Sequence, residues 1–446
     1  MLTRIVIVVL VWLLVPAHSL YVPALGASKK PVLLPVFLSQ EDLRGSMQGQ
    51  AGIVLDLNGD GNEDLVIGAP YAQRKGTTGA LLFYLSNSRG FPARPSTLLE
   101  GDGNLGWSLV ALGNVDGDGK SYFAAGAFSG SAEDVSLSGT VTIFKGGDKP
   151  WKVTVLSGEN AMDKFGYALA SGDLNGDGYP DLIVGAPFHS PSPGLYQRGA
   201  VYVYFGPNYD VASHVKIPAT ATNGGIGFSL AAGDINGDGV DDLLLQASGK
   251  VIGFYGAKSS FPASPTPDVV FSSADAGFGR SIAVLWDLDG DSFRDLAVGA
   301  DQATIDDAID SGRLFILRGG TGKRIVNADA ASSNLLARID GEPNCGRFGS
   351  AILPVGDLDG DSTPGLAVSA VHGDGNPWPM TGKIFLFSDS SLTQGATITS
   401  ARAIQGEARD MHLGTFLALV AKRGQLAGGA PTENANTGRV WFFDLR

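Results

Sequence analysis

The chain has 446 residues, of which 44% are hydrophobic and 17% are charged, and its formal net charge at pH 7 is −13. This apolar content is enough for a large core and excludes a disordered tail, and the length by itself suggests two or three domains. The acidic balance argues against nucleic acid as a partner, because binding to phosphate backbones needs basic patches. An acidic protein can still bind cations.

The N-terminal residues 1–19 form the first predicted element. Arg4 precedes the apolar run IVIVVLVWLLV, and the tripeptide AHS that follows fits a small-x-small cleavage site. This pattern is typical of a secretory signal peptide, and it predicts a secreted, extracellular protein whose mature chain starts with a linker over 20–30. A membrane anchor is the alternative, but the run is short for a bilayer span, so we expect no direct membrane insertion.

After the linker, an acidic, glycine-rich loop recurs six times. We number these acidic loops 1 to 6 in chain order; they occupy residues 56–64, 114–122, 173–181, 234–242, 287–295 and 357–365. A unit-starting glycine lies seven or eight residues before each loop, at Gly49, Gly106, Gly166, Gly227, Gly279 and Gly349. A seventh unit starts at Gly414 and has no acidic loop. One unit is therefore roughly 60 residues long, and the chain contains seven units.

Each unit contains four short segments with the composition of β-strands. In the third unit they read FGYALASG before the acidic loop, DLIVGAP after it and GAVYVYFG next, and a fourth segment leads into the following unit. Runs of this kind bounded by Gly and Pro indicate strands. Four strands cannot bury both faces alone, so the units must stack, and radial stacking gives a propeller. The sequence therefore predicts one all-β domain over 31–446, a seven-bladed β-propeller of four-stranded blades.

The two ends of the chain predict how the ring closes. The seventh unit stops after its third strand, GRVWFFDLR, and an unassigned apolar segment, PVLLPVFLS, lies at 31–39. We expect this N-terminal strand to supply the outer strand of the last blade. A closed ring leaves only short and protected sheet edges.

The recurring pattern FG, then GDLNGDG, then DLIVGAP resembles the FG-GAP repeat of the integrin alpha-chain N-terminal propeller. It is also similar to the C-terminal propeller of glycosylphosphatidylinositol-specific phospholipase D. The resemblance implies a seven-bladed propeller with calcium in the loops between first and second strands. It further implies that a ligand contacts the opposite face.

The acidic loops themselves have the chemistry of a calcium site. In acidic loop 3 the side chains of Asp173, Asn175, Asp177 and Asp181 occupy positions 1, 3, 5 and 9, and the backbone carbonyl of Tyr179 at position 7 can add a ligand. Oxygen ligands suit Ca²⁺, and the absence of cysteine and histidine from the acidic loops argues against zinc. The alternative is a glycine-rich turn that binds nothing.

Four loops are complete at positions 1, 3, 5, 7 and 9. Their residues are Asp56, Asn58, Asp60, Asn62 and Asp64; Asp173, Asn175, Asp177, Tyr179 and Asp181; Asp234, Asn236, Asp238, Val240 and Asp242; and Asp287, Asp289, Asp291, Phe293 and Asp295. The two incomplete loops keep Asn114, Asp116 and Asp118, and Asp357, Asp359 and Asp361, but have Tyr122 and Gly365 at position 9. We expect about four calcium ions and up to six.

A ligand is expected at the loops between second and third strands, which emerge opposite the acidic loops. Trp378, between two prolines, is the leading candidate, followed by Tyr71, Tyr196 and Arg198, because aromatic and Arg side chains usually anchor binding patches. Packing of Trp378 on its own loop is the alternative. The corresponding loop of the fourth unit is only ASG, at 247–249.

No catalytic motif is visible, so we do not expect an enzyme. The sequence lacks G-x-S-x-G, Walker and H-E-x-x-H motifs. His189 and His372 are expected to be isolated surface residues, and the single cysteine, Cys345, an incidental thiol. The prediction is a secreted, calcium-stabilised adhesion or binding module for an extracellular protein or carbohydrate ligand. A lectin and a non-catalytic relative of the phospholipase propeller are the alternatives, and the oligomeric state is open.

Overall fold

The computed structural model describes residues 45–445 apart from 75, 133–134, 193, 263–265, 330–332, 344, 359, 361, 374–379, 393–395 and 434–437. The side chains of Arg74 and Cys345 are also outside the described part. The expected signal peptide (1–19), linker (20–30) and closing strand (31–39) lie outside the described residues.

Seven sheets succeed one another along the chain, and we number them as blades 1 to 7. Blades 1 to 3 contain β1 (Gly52–Leu55), β2 (Asp64–Arg74), β3 (Thr77–Tyr84) and β4 (Thr97–Glu100); β5 (Ser108–Gly113), β6 (Tyr122–Ala127), β7 (Thr140–Lys145) and β8 (Trp151–Ser157); and β9 (Leu169–Gly172), β10 (Asp181–Ala186), β11 (Ala200–Tyr204) and β12 (His214–Pro218).

The remaining strands form blades 4 to 7. They are β13 (Leu230–Gly233), β14 (Asp242–Ala247), β15 (Lys250–Phe254) and β16 (Val269–Ser272), with β20 (Arg324–Asn327) added to the same sheet; β17 (Phe278–Val284), β18 (Leu296–Ala300), β19 (Arg313–Leu317) and β21 (Leu335–Asp340); β22 (Cys345–Val355), β23 (Gly365–Gly373), β24 (Lys383–Phe387) and β25 (Arg402–Gln405); and β26 (Leu417–Val420), β27 (Gln425–Ala430) and β28 (Arg439–Asp444). Short 3₁₀ helices lie at Asp389–Ser391, Ile398–Ser400 and Ala421–Arg423.

The blades form a closed ring. Within each blade, consecutive strands pair antiparallel, and the first strand of every blade contacts the first strand of the next, from β1 through β5, β9, β13, β17 and β22 to β26 and back to β1. The predicted all-β, seven-bladed propeller is therefore confirmed. Among the described residues, blade 7 has three strands, and a parallel bridge from Gln48 to Gly438 brings the start of the described chain beside its last strand.

The second and third strands of each blade form the core because neighbouring blades cover both of their faces. All six residues of β10, DLIVGA, are buried, as are all five of β11, AVYVY. A strand buried on both faces reads as a continuous apolar run rather than an alternating one. The outermost strand β8 behaves differently, since Trp151, Val153 and Val155 are exposed.

Pairs of glycines let the blades approach closely at the motif that defines the repeat. In blade 3, a Cβ added to Gly185, in the GAP segment, would lie 2.2 Å from the carbonyl oxygen of Gly227, which starts the next unit. The same contact recurs at Gly68, Gly126, Gly299 and Gly429. Such a Cβ distance is far inside van der Waals contact, so the fold requires glycine at these positions.

Blade 4 carries a fifth strand that the sequence did not predict. The connection between β19 and β21 of blade 5 contains β20, which pairs in parallel with the outer strand β16, Val269 facing Arg324. The added strand covers an edge that would otherwise offer unpaired backbone groups. Blades 4 and 5 are therefore joined by backbone hydrogen bonds as well as by side-chain packing.

The short loop of blade 4, which the sequence shows as ASG, is a two-residue hairpin. Ala247 pairs with Lys250, and the intervening Ser248 and Gly249 both have positive φ, 45° and 73°. Positive φ at both central residues matches the twist of the flanking strands.

In the part of the chain that the structure describes, no helix is long and apolar enough to cross a membrane.

Candidate metal loops and the opposite face

The acidic loops wrap around their first aspartate. In acidic loop 3, Asp173 accepts hydrogen bonds from the backbone N–H of Asp177 at 3.1 Å and of Gly178 at 2.8 Å. Gly178 has φ +88°, and the residue at the same position 6 also has positive φ in the other loops, even where it is Ser292 or Ser362. This left-handed residue turns the chain so that positions 1, 3 and 5 face one point.

Position 9 holds a buried carboxylate that ties the loop to the sheet. Asp181 is fully buried, and its two oxygens accept from the backbone N–H of Leu174 at 2.9 Å and of Gly206 at 3.0 Å. One donor belongs to the loop and the other follows the third strand. The same arrangement, with a fully buried carboxylate, is found at Asp64, Asp242 and Asp295.

These four carboxylates carry an electrostatic penalty. Burial is the main cause, and nearby loop carboxylates add to it; together they raise the pKa of Asp64 and Asp295 to about 6 and the pKa of Asp181 and Asp242 to about 7. A buried anion beside other anions is stabilised by a neighbouring cation. The loops therefore have the electrostatics of sites that favour a positive ion.

The raised pKa values predict how stability depends on pH in the metal-free protein. An ordinary aspartate has a pKa near 3.9, so the folded chain retains the Asp181 proton to a higher pH than the unfolded chain does. The stabilising contribution of Asp181 is then present below about pH 4 and is lost as the pH rises toward about 7. We expect the stability difference between the wild type and Asp181→Asn to change by about 1 kcal/mol per pH unit across that range in chelator.

Urea unfolding at several pH values measures this difference. Asp307→Asn, at an exposed aspartate outside the acidic loops, is the matched control and should show a constant difference. A wild type that gains stability relative to Asp181→Asn as the pH rises would contradict the prediction.

Acidic loop 5 gathers three carboxylates at one place. One carboxylate oxygen from each of Asp287, Asp289 and Asp295 lies within 4.8 Å of the other two. These are positions 1, 3 and 9, so the structure brings together residues that the spacing predicted. Carboxylates gathered this closely suit a hard divalent cation. In the other complete loops position 3 is an asparagine, whose amide nitrogen donates to the aspartate at position 5, at 2.9 Å from Asn175 to Asp177.

Position 7 also has a defined role in the loops. The backbone N–H of Tyr179 donates to Asp177 at 2.9 Å, and Asn62, Val240 and Phe293 donate to the position 5 aspartate in the same way. These bonds hold the backbone nitrogen of the residue whose carbonyl, in the next peptide unit, was predicted as a ligand.

The two incomplete loops differ from each other. In acidic loop 6, Asp357 accepts from Gly360 and Ser362 as in the complete loops, Asp359 and Asp361 lie outside the described residues, and Gly365 offers no buried carboxylate. In acidic loop 2, the ammonium group of Lys145 contacts the carboxylates of Asp116 and Asp118.

A set of aromatic side chains, which we call the aromatic belt, lies at the opposite face, across blades 1 to 4. Its members are half-buried and lie directly after a unit-starting glycine, or within or just after a second strand: Tyr71, Trp107, Phe128, Tyr167, Phe188 and Phe228. Trp107 is central, with ring centroids 4.7 Å from Phe128 and 5.4 Å from Tyr167. Tyr167 continues to Phe228 at 5.4 Å. Sequence reasoning found only Tyr71; for Trp107, Tyr167 and Phe228 the available signal was an aromatic residue directly after a unit-starting glycine.

The predicted ligand residues have different environments. Tyr71 packs edge-on against Trp107, and Tyr196 is 75% exposed. Arg198 donates to the carbonyl oxygens of Thr220 and Ala221, so its guanidinium braces the next inter-blade loop. Trp378 lies outside the described residues. Among the predicted ligand residues that the structure describes, Tyr71 is thus the one that belongs to the aromatic belt.

The histidines are not isolated, contrary to expectation. His189 is buried, with Nδ1 2.8 Å from a carboxylate oxygen of Asp163. His372 packs edge-on against His412, with ring centroids 5.1 Å apart. Burial lowers the pKa of both His372 and His412. These partners lie 26 and 40 residues apart, and only the register of the blades brings them together.

Comparison with known proteins agrees with this geometry. The family model described as FG-GAP repeat matches residues 49–83, 165–204, 226–254 and 278–317, which are the units with complete acidic loops. The chain is 33% identical over 240 residues to integrin alpha-IIb of Mus musculus, covering 50% of this chain and 22% of that protein. It is 38% identical over 168 residues to integrin alpha-7 of Homo sapiens, covering 34% and 14%, and 30% identical over 234 residues to integrin alpha-5 of Xenopus laevis, covering 49% and 22%.

The chain thus spans less than a quarter of the length of these three relatives. Its matched units, its seven sheets and its closed ring lead to one conclusion: this protein carries FG-GAP repeats on a seven-bladed propeller and is a homologue of the integrin alpha chains.

Proposed function

We propose that the protein is a secreted, non-enzymatic adhesion module that binds an extracellular ligand through the face opposite its acidic loops. The observation that carries the proposal is the aromatic belt. Six half-buried aromatic side chains meet at one end of the propeller, and they come from four different blades. Aromatic side chains that are partly exposed on a rigid scaffold are typical anchors of binding surfaces.

The surroundings of the belt favour a protein ligand over a carbohydrate. Tyr196 is 75% exposed in the connection that follows Phe188 of the belt, and Lys164 lies over the Phe128 ring at 4.9 Å. This combination offers apolar area, a phenolic group and a cation. A protein surface with apolar and acidic side chains would complement all three.

Calcium has a structural part in this proposal. The residues that would hold it are those at positions 1, 3, 5 and 9 of acidic loops 1, 3, 4 and 5, with the carbonyl of position 7. Bound there, the ion supplies positive charge to the buried position 9 carboxylate. The protein's own groups do the rest: the backbone N–H donors orient each carboxylate, and position 9 fastens the loop to the end of the third strand.

A binding screen with matched variants tests the proposal. We expect Tyr196→Ala to weaken ligand binding roughly tenfold or more, because truncating an exposed aromatic anchor removes about 1 to 2 kcal/mol or more of binding energy. The purified mature chain, in calcium, is screened on a panel of extracellular-matrix proteins and on a glycan array. Trp151→Ala is the control, since Trp151 is an exposed aromatic that follows the connection of third and fourth strands, at the acidic-loop end.

The outcomes separate the candidate functions. Binding to matrix proteins that Tyr196→Ala weakens and Trp151→Ala leaves intact supports the proposal. Binding confined to the glycan array would make the protein a lectin. Ligand binding that is lost with Trp151→Ala and kept with Tyr196→Ala would place the ligand on the wrong face and contradict the proposal.

A further inference from the structure

The side-chain ammonium group of Lys145 lies against the carboxylates of acidic loop 2. Lys145 is the last residue of β7 and pairs with Tyr122, the first residue of β6. Its ammonium nitrogen contacts the carboxylate of Asp116 and lies 2.8 Å from that of Asp118. The Tyr122 hydroxyl donates to Asp116 at 3.0 Å, so the side chain at position 9 serves the same carboxylate.

Aromatic rings complete the enclosure of this ammonium group. The ring centroids of Tyr122 and Trp151 lie 5.4 Å and 5.8 Å from the Lys145 nitrogen, within the range of cation–π attraction. The Lys145 side chain is only 12% exposed. Two carboxylates and two ring faces therefore hold one cation inside the loop. The hydrogen bond from Lys145 is the main reason that the pKa of Asp116 is lowered to about 2, which keeps this carboxylate charged.

The strand register identifies the residues that correspond to Lys145 in other blades, on the third strand opposite position 9 of the acidic loop. Continuing the pairing of second and third strands by one residue places Phe205 opposite Asp181 in blade 3 and Tyr255 opposite Asp242 in blade 4. Both are aromatic and uncharged. Lysine at this place thus coincides with loss of the aspartate at position 9.

Acidic loop 5 provides an instructive comparison. Arg318 continues the register opposite Asp295, and its guanidinium contacts Asp289. This loop, however, has aspartate at all four side-chain positions, whereas acidic loops 1, 3 and 4 have three aspartates and an asparagine. Arg318 therefore returns the loop to the net charge of the other complete loops. Lys145 instead leaves acidic loop 2 with two carboxylates and one internal cation, and little charge remains to attract a divalent ion.

We propose that Lys145 is the resident cation of acidic loop 2, and that the side chain opposite position 9 decides whether a blade takes a divalent ion or holds its loop without one. Blade 2 is then a metal-independent blade in a propeller whose four complete loops depend on calcium. The inference rests on the proposed calcium role of acidic loops 1, 3, 4 and 5. It assigns a different role to Asp116 and Asp118, which the sequence offered, together with Asn114, as a weak metal site.

Counting calcium ions per chain tests this assignment. Equilibrium dialysis of the purified mature chain should give the same number of bound ions for the wild type and for the double variant Asp116→Asn with Asp118→Asn. One ion fewer in the variant would overturn the proposal. The exchange variant Tyr122→Asp with Lys145→Phe, which copies Asp181 and Phe205, should bind one ion more than the wild type, and an unchanged count would overturn the selecting role of this position.

A stability measurement keeps the proposal testable if the exchange variant does not fold. In chelator, Lys145→Met should lower the midpoint of thermal unfolding clearly more than Lys120→Met, because Lys120 lies in the same loop but its nitrogen is 4.0 Å from Asp118 and its side chain is 38% exposed. Equal midpoints for the two variants would overturn the resident-cation role. If the wild type binds no calcium at all, the proposed metal role of the complete loops fails, and this chelator comparison alone decides the role of Lys145.

Discussion

Gly185→Ala is expected to destabilise the propeller by about 3 kcal/mol or more, at the upper end of what overpacking a core produces. The new Cβ would lie 2.2 Å from the Gly227 carbonyl oxygen and 2.9 Å from its carbonyl carbon, which are backbone atoms of the next blade. Backbone on both sides cannot move aside as a flexible side chain can. The two blades would have to separate, and the first strands that close the ring would separate with them.

Urea unfolding followed by circular dichroism measures the effect. Gly356→Ala is the matched control, because nothing lies within 4 Å of a Cβ built there and its φ is not positive. It should unfold within about 0.5 kcal/mol of the wild type. A Gly185→Ala protein as stable as this control would show that the blades are not in tight contact at the GAP segment.

Blade 4 supplies a natural comparison for this contact. Gln246 takes the place of the GAP glycine there, and its side chain reaches toward Gly279 of the next unit, where an added Cβ would lie 3.2 Å from the Gln246 Cγ. The junction of blades 4 and 5 is therefore wide enough for a side chain. We attribute the tolerance to this particular junction, since the five glycine junctions have a carbonyl oxygen in that space.

Withdrawal of calcium is expected to give the second large effect. Each occupied loop should add about 1.4 kcal/mol of stability when free calcium is tenfold above the dissociation constant, so four loops together should shift the unfolding midpoint by many degrees. Free calcium of about 1 mM is a suitable condition for extracellular sites of this chemistry. Magnesium at the same concentration should have little effect, because it binds few all-protein cages.

The Asp242→Asn variant separates the two roles of the position 9 carboxylate, which are its negative charge and its hydrogen bonds from two backbone N–H groups. The asparagine removes the negative charge and presents an N–H group to one of the two backbone donors, Ile235 and Gly256, that the carboxylate accepts from. We expect one calcium ion fewer per chain and a loss of about 1 to 3 kcal/mol that persists in chelator. Differential scanning calorimetry with calcium and with chelator measures both, and Asp307→Asn is the control. A midpoint that calcium does not raise in the wild type would contradict the metal role of all four loops.

The fold could be predicted from the sequence because its determinants are local and repeated. The unit-starting glycine, the acidic loop and the buried second strand recur with nearly constant spacing, and each of the three has its own structural reason. Glycine is required where backbones touch, aspartate where loop N–H groups need acceptors, and an apolar run where both faces are covered. Each of these three signals is weak alone, but their recurrence along the chain indicates a propeller.

The remaining features depend on partners that are distant in sequence. Lys145 meets Asp116 across 29 positions, and this contact follows from the register of β6 and β7 rather than from any motif. His189 finds Asp163 in the same way. The strand β20 pairs with a neighbouring blade, and a pattern that repeats within blades contains no information about it.

The parallel pairing of β20 with β16 changes how the ring divides into units of unfolding. Every blade packs on its neighbours, but blades 4 and 5 in addition share a backbone ladder that runs from Val269 and Arg324 to Ser272 and Asn327. Their amide hydrogens should therefore exchange with solvent as one cooperative block. A chain cut between these two blades would leave the fourth without its outer cover, so the boundaries of independently folding fragments fall elsewhere in the ring.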